Sequence, residues 1–584
     1  MSHTDDLALL RAYEPAIRYT DGEFFFPVSA ERYVACASLW RDEPGGPSAE
    51  VVPARKLDLA ALAGAGGAEH GLHHSLSAVA RSSGPALIPL RERPPHLHGA
   101  SRLASVGLTA RFVDTFNRAS LIVRGSVPGG SAARSFLMQR DHLAPERPTY
   151  HGRVLRDSPW IVLQYWFFYS FNNWRSAFGG VNEHEGDWEQ VTVYLDGTGV
   201  HDEAGLPPAR WVVYSAHDET GDDLRRRWDD PDLTLVGGRH PVVFAGAGSH
   251  SGAYLPGDYL ITVRPQRLRN LVTVLRTPAR WLAPWSEDPE QGLGIPYVDY
   301  ARGNGRAIGP GQPEGWDAVV IGDDTAWVRD YRGLWGHDTR DRLGGERGPA
   351  GPRYERDGTV RRSWADPVGW AGLAKVAPNP ATAEALIALR ADRIATRLAE
   401  LDTEIDTLAD DLRVTAAGLA ASAPEVRALA GREQHLLKLR MERTRLADEQ
   451  LRMAEAPEQE HPHAHLLHRR VPLQQATGLR GRLISWWSVI STPLILWAIG
   501  AAFSPFNHTL SPADVAGIWL VLLLTVEGLI RGRFVAVALR LAGAAALVAF
   551  LILLWFTGRY VFTVGFFAAA LLVLIVNLRE ALRR

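Results

Sequence analysis

The run QYWFFYSFNNWRSAFGGVNEHEGDWEQ, residues 164–190, decides how this chain is read. A dense aromatic stretch leads into His184, Glu185, Gly186, Asp187, Trp188 and Glu189, and the β-branched run VTVYL (191–195) follows. Residues two apart on a strand share a face, so Asp187 and Glu189 present their carboxylates together. Gly186 permits a turn that brings His184 in from the preceding loop. One imidazole and two carboxylates suit a divalent cation or a general acid/base pair. The alternative is that Trp188 is a core residue and the charges are solvated residues of a turn.

Outward from that run, the first 372 residues read as β-rich. Short stretches dense in β-branched and aromatic residues occur at 160–169, 188–195, 210–215, 241–245, 259–263 and 317–330, separated by Gly, Pro and Asp. Such strands with long loops predict a β-sandwich. The Ala, Gly, Pro and His-rich segment 45–97 predicts excursions from the core. His217 follows WVVYSA, and Ser249 and His250 follow VVFAGAG, so both histidines are expected where strands run out into loops that can converge on His184 and Asp187. The alternative for Ser249 and His250 is a satisfied buried turn. There is no Walker loop, Rossmann fingerprint, HExxH or GxSxG, which disfavours nucleotide chemistry and serine hydrolysis.

QYWFFYSFNN followed by HEGDWEQVTVYL resembles the Vps62-like (DUF946) proteins. YEPAIRYTDGEFFFPVSAERYV (13–34), WVVYSAHDE (211–219), FAGAGSHSGAY (244–254), GPAGPRY (348–354) and WADPVGW (364–370) are similar, in order, to other segments of that family, so the resemblance covers about residues 8–372. A more distant similarity is to the necrosis-inducing, cytolytic NLP proteins, whose H-x-x-DWE heptapeptide binds a divalent metal and matches His184, Asp187, Trp188 and Glu189. Where those toxins carry a further aspartate, this chain has Asn172 and Asn173. The resemblance implies a cation site held by His184, Asp187 and Glu189, with His217, Ser249, His250, Asn172 and Asn173 as accessory positions. Mixed oxygen and nitrogen ligands favour Mg, Ca or Mn over a structural zinc.

Composition sets outer limits. The chain has 584 residues and a net charge of -2, so no basic field points to nucleic acid. Cys36 is the single cysteine, which rules out an intramolecular disulfide and a CxxC metal site. The opening MSHTDDLALLRAYEP has acidic residues and no apolar run, so no conventional secretory signal is expected.

The last hundred residues predict membrane helices. Four apolar runs, 483–503, 514–530, 534–556 and 560–578, each approach the roughly 20 residues that span a bilayer. Arg480 and Arg482 precede the first, Arg531 and Arg533 join the second to the third, and Arg579, Arg583 and Arg584 end the chain, which predicts cytoplasmic termini for the bundle and a cytoplasmic N-terminal region. Glu527 is expected to pair with Arg531 one turn on, or with Arg540. Before the bundle, Ile394, Leu398, Leu401, Ile405, Leu408 and Leu412 repeat at alternating spacings of four and three, a heptad seam, and a second helix is expected to open near Pro424. An antiparallel coiled-coil hairpin is the simplest outcome, and a dimeric coiled coil, giving a homo-oligomer, is its rival. The expected organisation is a β-rich domain over 1–378, the hairpin over 379–457, a linker over 458–479 and a four-span transmembrane domain over 480–584. The function it suggests is a membrane-anchored β-sandwich that binds a divalent cation and recognises a lipid, glycan or protein partner. The alternatives are a metal-dependent hydrolase, with His217 or His250 moving a proton, and a trafficking scaffold acting through the hairpin.

Overall fold

The computed structural model describes residues 3–42, 49–65, 73–77, 103–104, 106, 110–111, 114–115, 131–143, 147–157, 159–174, 184–215, 224–263, 295–336, 348–379, 382–417, 424–453, 471–473, 478–504 and 510–581. The chain forms two compact units: residues 1–98, 125–259 and 298–473 make the first, and residues 99–124, 260–297 and 474–584 the second.

The first unit is organised by a six-stranded sheet in the order Asp317–Val320, Thr149–Asp157, Trp160–Asn172, His184–Asp196, Ala209–Tyr214, Arg225–Arg227. Its central pair keeps one register from Trp160 opposite Asp196 to Asn172 opposite His184. Strand alternation sorts the aromatic run. Leu163, Tyr165 and Phe167 join Val191, Val193 and Leu195 in one core, while Trp166, Phe168 and Trp188 enter a second core on the opposite face. Both faces are covered, which is why Trp160–Asn172 is apolar at nearly every position.

A second sheet runs in the order Leu235–Val236, His240–Ala245, Ala16–Arg18, Ala307–Ile308, and its Ile17, Val243 and Ile308 enter the same core as Leu163 and Val193. The sheets are mixed: Ala16–Arg18 runs parallel to His240–Ala245, and Asp317–Val320 parallel to Thr149–Asp157. Within the segment expected as excursions, Ala49–Val52 and His73–Ser77 pair on either side of Ser38–Asp42. The run 317–330, expected as one strand, divides into Asp317–Val320 and the helix Ala326–Asp330. The turn Gly322-Asp323-Asp324 intervenes, and the Gly322 amide donates to Thr325 Oγ1 at 2.9 Å.

Two helices of the C-terminal half also belong to this unit, Ala383–Ala416 and Pro424–Met453. Ile394, Leu401 and Ile405 of the first are buried against Leu439 and Leu446 of the second. The pairs Arg390 to Glu449 (3.0 Å) and Arg397 to Glu442 (3.2 Å) set the helices antiparallel. Leu401 is fully buried, a contribution of roughly 2 kcal/mol. Arg390 also holds Asp366 at 2.6 Å, which ties the helical pair to the β-rich part.

Among the described residues of the second unit, three helices are long and apolar enough to cross a membrane: Gly478–Ala502, Pro512–Ile530 and the one that begins at Phe534. Pro512 occupies the first turn of its helix, and Ser511 and Asp514 close a capping box ahead of it. The two runs expected as separate third and fourth spans lie in one continuous helix of 48 residues, Phe534–Ala581, about 72 Å at 1.5 Å per residue. The break expected at Thr557-Gly558-Arg559 contains no proline, and one helical glycine costs only about 1 kcal/mol, too little to end a helix. Glu527 is bonded by Arg531 at 2.9 Å as expected. The partner the sequence did not show is Arg111.

Candidate functional site

The strand His184–Asp196 begins at His184 itself, so the imidazole comes from the strand and not from a preceding loop. Asp187 lies opposite Tyr169 and Glu189 opposite Phe167, side by side on one face. Trp188 points the other way, with ring centroids 4.8 Å from Phe168 and 5.2 Å from Trp335. Asp187 is 6% exposed, Trp188 8% and Glu189 8%, which overturns the reading of these charges as a solvated turn.

Gly186 does a different task from the expected one. It has φ +71°, and a Cβ there would run into the Trp335 carbonyl. This left-handed residue breaks the alternation of the strand without shifting its register. Glu185 therefore leaves the Asp187 face, and its oxygens accept from Tyr33 (3.2 Å) and Ser77 (3.0 Å). The His184 Nδ1 is 2.7 Å from the Gly186 carbonyl oxygen, a local bond that closes over the glycine.

His250 is the residue that meets Asp187. It follows the strand His240–Ala245 through a turn in which Gly248 (φ +73°) and His250 (φ +58°) are both left-handed. A non-glycine residue in that region is strained, and such strain clusters at functional positions. The imidazole stacks on Tyr169 at 3.8 Å with 4° between the planes. Its Nδ1 is 2.9 Å from Asp187 Oδ2, which also accepts from Asn172 Nδ2 at 3.1 Å. Its Nε2 faces Glu23 Oε1 at 3.9 Å. Glu189 Oε2 accepts from Ser215 Oγ at 3.2 Å.

The turn that carries His250 is fixed from both sides. Ser249 and Ser251 donate to the two oxygens of Asp299 at 2.7 and 2.5 Å. Glu23 accepts from the Gly248 amide at 2.7 Å, and the Gly248 carbonyl accepts from the Asn173 amide at 2.9 Å. Asn172 and Asn173 thus act at the site as hydrogen-bonding groups, one through its side chain and one through its backbone. His217 lies outside the described residues.

Electrostatics follow from burial. Desolvation pushes the Glu189 carboxyl well above the usual carboxylate range, and Asp187 beside it adds to the rise against the opposing hydrogen bond from Ser215. For His250, burial works to lower the pKa, but the bond to Asp187 and the neighbouring Glu23 outweigh it and push the value up to about 9. The imidazolium is the cation that the adjoining carboxylates stabilise.

The structure thus brings Asp187, Glu189, His250, Asn172 and Ser249 to one place. Sequence reasoning missed Glu23 and Asp299. Glu23 sits in the segment YTDGEFFFP, where an acid beside three phenylalanines is a buried polar signal. Asp299 is the lone charge in the strand Ile295–Ala301, a comparable signal. Among the described residues, no three of His, Cys, Asp or Glu stand in metal-holding geometry. Compared with known proteins, the chain matches no family model, no curated protein and no solved structure.

Proposed function

We propose that the chain is a membrane-anchored binding protein whose β-rich domain, a Vps62-like sandwich, takes a divalent cation at the Asp187 face and recognises a lipid headgroup, glycan or protein partner beside the membrane. The observation that carries it is the pair Asp187 and Glu189, two buried carboxylates on one strand face. Two such groups ionise together only at a cost in low dielectric, and a divalent cation removes that cost. Asp187 and Glu189 supply oxygens, and His184 or His250 supplies nitrogen. Mg, Ca or Mn fits this donor set. At the site of His250, cation binding replaces the imidazolium as the counter-charge.

Metal analysis and calorimetric titration of the full chain in detergent test this, with Mg, Ca and Mn added separately. Binding of one cation per chain that Asp187→Asn weakens supports the reading. No heat with any of the three, and no co-purified metal, overturns it. A second reading, metal-assisted hydrolysis, is favoured by the His250 to Asp187 bond, which orients the ring as a general acid/base is oriented.

For the anchor, the proposal is four spans with both ends of the bundle cytoplasmic, the 48-residue helix dividing at Thr557-Gly558-Arg559 in a bilayer whose apolar core is only about 30 Å thick. Reporter fusions at His508 and after Arg584 should report opposite sides, external and internal. Two internal signals would sink the four-span reading.

A further inference from the structure

The apolar helices enclose a polar cluster that the anchoring role leaves unused. Arg111, Thr115, Ser488, Ser491, Thr492 and Glu527 are all buried. Arg111 Nη1 donates to Ser491 Oγ at 2.9 Å, and its Nη2 pairs with Glu527. Thr115 Oγ1 reaches the Thr492 carbonyl at 3.3 Å, and Arg531 Nη2 donates to the Ala104 carbonyl at 3.2 Å. Three points of one short stretch, residues 104, 111 and 115, therefore land on the helices Gly478–Ala502 and Pro512–Ile530 or on the arginine that follows the second. Residues 99–124 belong to the same compact unit as these helices, although in sequence they interrupt the first unit.

The receiving face is built for this. Ser491 and Glu527 both take the guanidinium of Arg111, and one turn along each helix Ile495 and Leu524 join one apolar cluster. Glu527 lies one turn before the end of its helix and is held there by Arg531. An isolated charge among apolar helices is costly, so ionisable groups at such depth are paired or lie on a functional path. A buried ion pair adds little net stability, but it penalises every other docking that leaves one charge alone, and so it selects which segment docks and in what register.

We propose that the face formed by Ser491, the Thr492 carbonyl and Glu527 is a docking site for an arginine-bearing segment, and that its occupant is this chain's own Arg111 with Thr115 beside it. The sequence around it, LASVGLTARFVDT (103–115), carries Arg111 and Asp114 as its only charges. It is a plug drawn from the N-terminal half of the chain, and Arg111 is its key. The proposal rests on the anchoring reading only for the depth at which the plug lies, not for the docking itself.

The test is made on the full chain in native membranes, in a Cys36→Ser background that carries Thr115→Cys as its only thiol. A water-soluble maleimide should leave this thiol unlabelled. Arg111→Glu, which sets two carboxylates against each other, should remove the protection, as should Glu527→Arg. The double exchange Arg111→Glu with Glu527→Arg should restore it. Ser491→Ala, a milder change that keeps the ion pair, should leave it partly protected. Labelling of the parent thiol to the same extent as in Arg111→Glu, or protection that persists in both single exchanges, would overturn the docking. Alkaline carbonate extraction of the same membranes reports separately on anchoring: release of the parent chain would overturn the membrane depth of the plug, while thiol protection in the released protein still decides the docking.

Discussion

Around Asp187, a carboxylate meets the imidazole of His250, and its neighbour on the same strand face, Glu189, is pushed by burial towards its neutral form. Around Glu527, one carboxylate is held between two guanidinium groups, Arg111 and Arg531. Both clusters are buried and both draw residues from distant parts of the sequence. They differ in what they ask of their surroundings. The Glu527 cluster carries its own counter-charge and suits a fixed contact, because nothing further has to arrive to neutralise it. At Asp187 the facing cation is a proton on His250, and that proton is exchangeable. A carboxylate already held by guanidinium groups serves docking; a carboxylate faced by an exchangeable proton serves the binding of another cation.

The largest effect should come from breaking the Glu527 cluster. Glu527→Leu leaves Arg111 buried without its carboxylate, a loss of about 3 to 5 kcal/mol where one partner of a buried pair is removed. Arg111→Met combined with Glu527→Leu removes both charges and should recover most of that stability. Thermal unfolding in detergent, followed by the helical signal, gives both numbers. Equal destabilisation by the single and double variants would show that the pair is not the coupled unit described above.

How much of this contrast was legible in the sequence depends on the separation of the partners. Asp187 and Glu189 were readable because strand periodicity alone places them on one face, and Trp188 was readable as the buried residue opposite them. His250 was marked by its glycine-rich turn, but its bond to Asp187 depends on two sheets meeting, which no spacing encodes. The bonds of Glu185 to Tyr33 and Ser77 were not legible, because a single left-handed glycine sends its side chain to the other face. The seam at Ile394, Leu401 and Ile405 was legible from its period of seven, and the partner residues Leu439 and Leu446 came from the second expected helix. Arg111 was invisible: Arg531, one turn from Glu527, gave a complete local account of that carboxylate, so nothing called for a partner more than four hundred residues away.

A second test sharpens the comparison through pH. Folding raises the His250 pKa from 6.5 to about 9, so the folded chain binds that proton more tightly than the unfolded chain does. This contribution, up to about 3 kcal/mol, is fully present below pH 6.5 and is lost as pH rises towards 9. His151 behaves oppositely. Burial beside Trp188 and Trp327 depresses its pKa to about 4, so the unfolded chain takes up a proton that the folded chain refuses, and stability falls as pH drops from 6.5 towards 4. Stability of the β-rich unit should therefore peak near pH 6.5. His250→Gln should flatten the alkaline limb and leave the acid limb; a variant that keeps the alkaline limb would place its origin elsewhere.

The smallest effect, and the most discriminating, concerns the cation. If a divalent ion takes the place of the imidazolium charge, the two must compete, and apparent affinity for Mg, Ca or Mn should improve as pH rises and His250 gives up its proton. Asp187→Asn keeps the shape of the side chain and its capacity to accept one hydrogen bond, but it removes a negative charge from the strand face. Affinity should fall by about tenfold or more, which corresponds to about 1.4 kcal/mol. Glu183→Gln, just outside the HEGDWE run, should change it little. Calorimetric titration at two pH values separates the outcomes. Equal behaviour of Asp187→Asn and Glu183→Gln would leave Asp187 as the fixed partner of a permanent imidazolium. The Asp187 cluster would then be a structural ion pair like the one at Glu527, and the distinction between the two clusters would disappear.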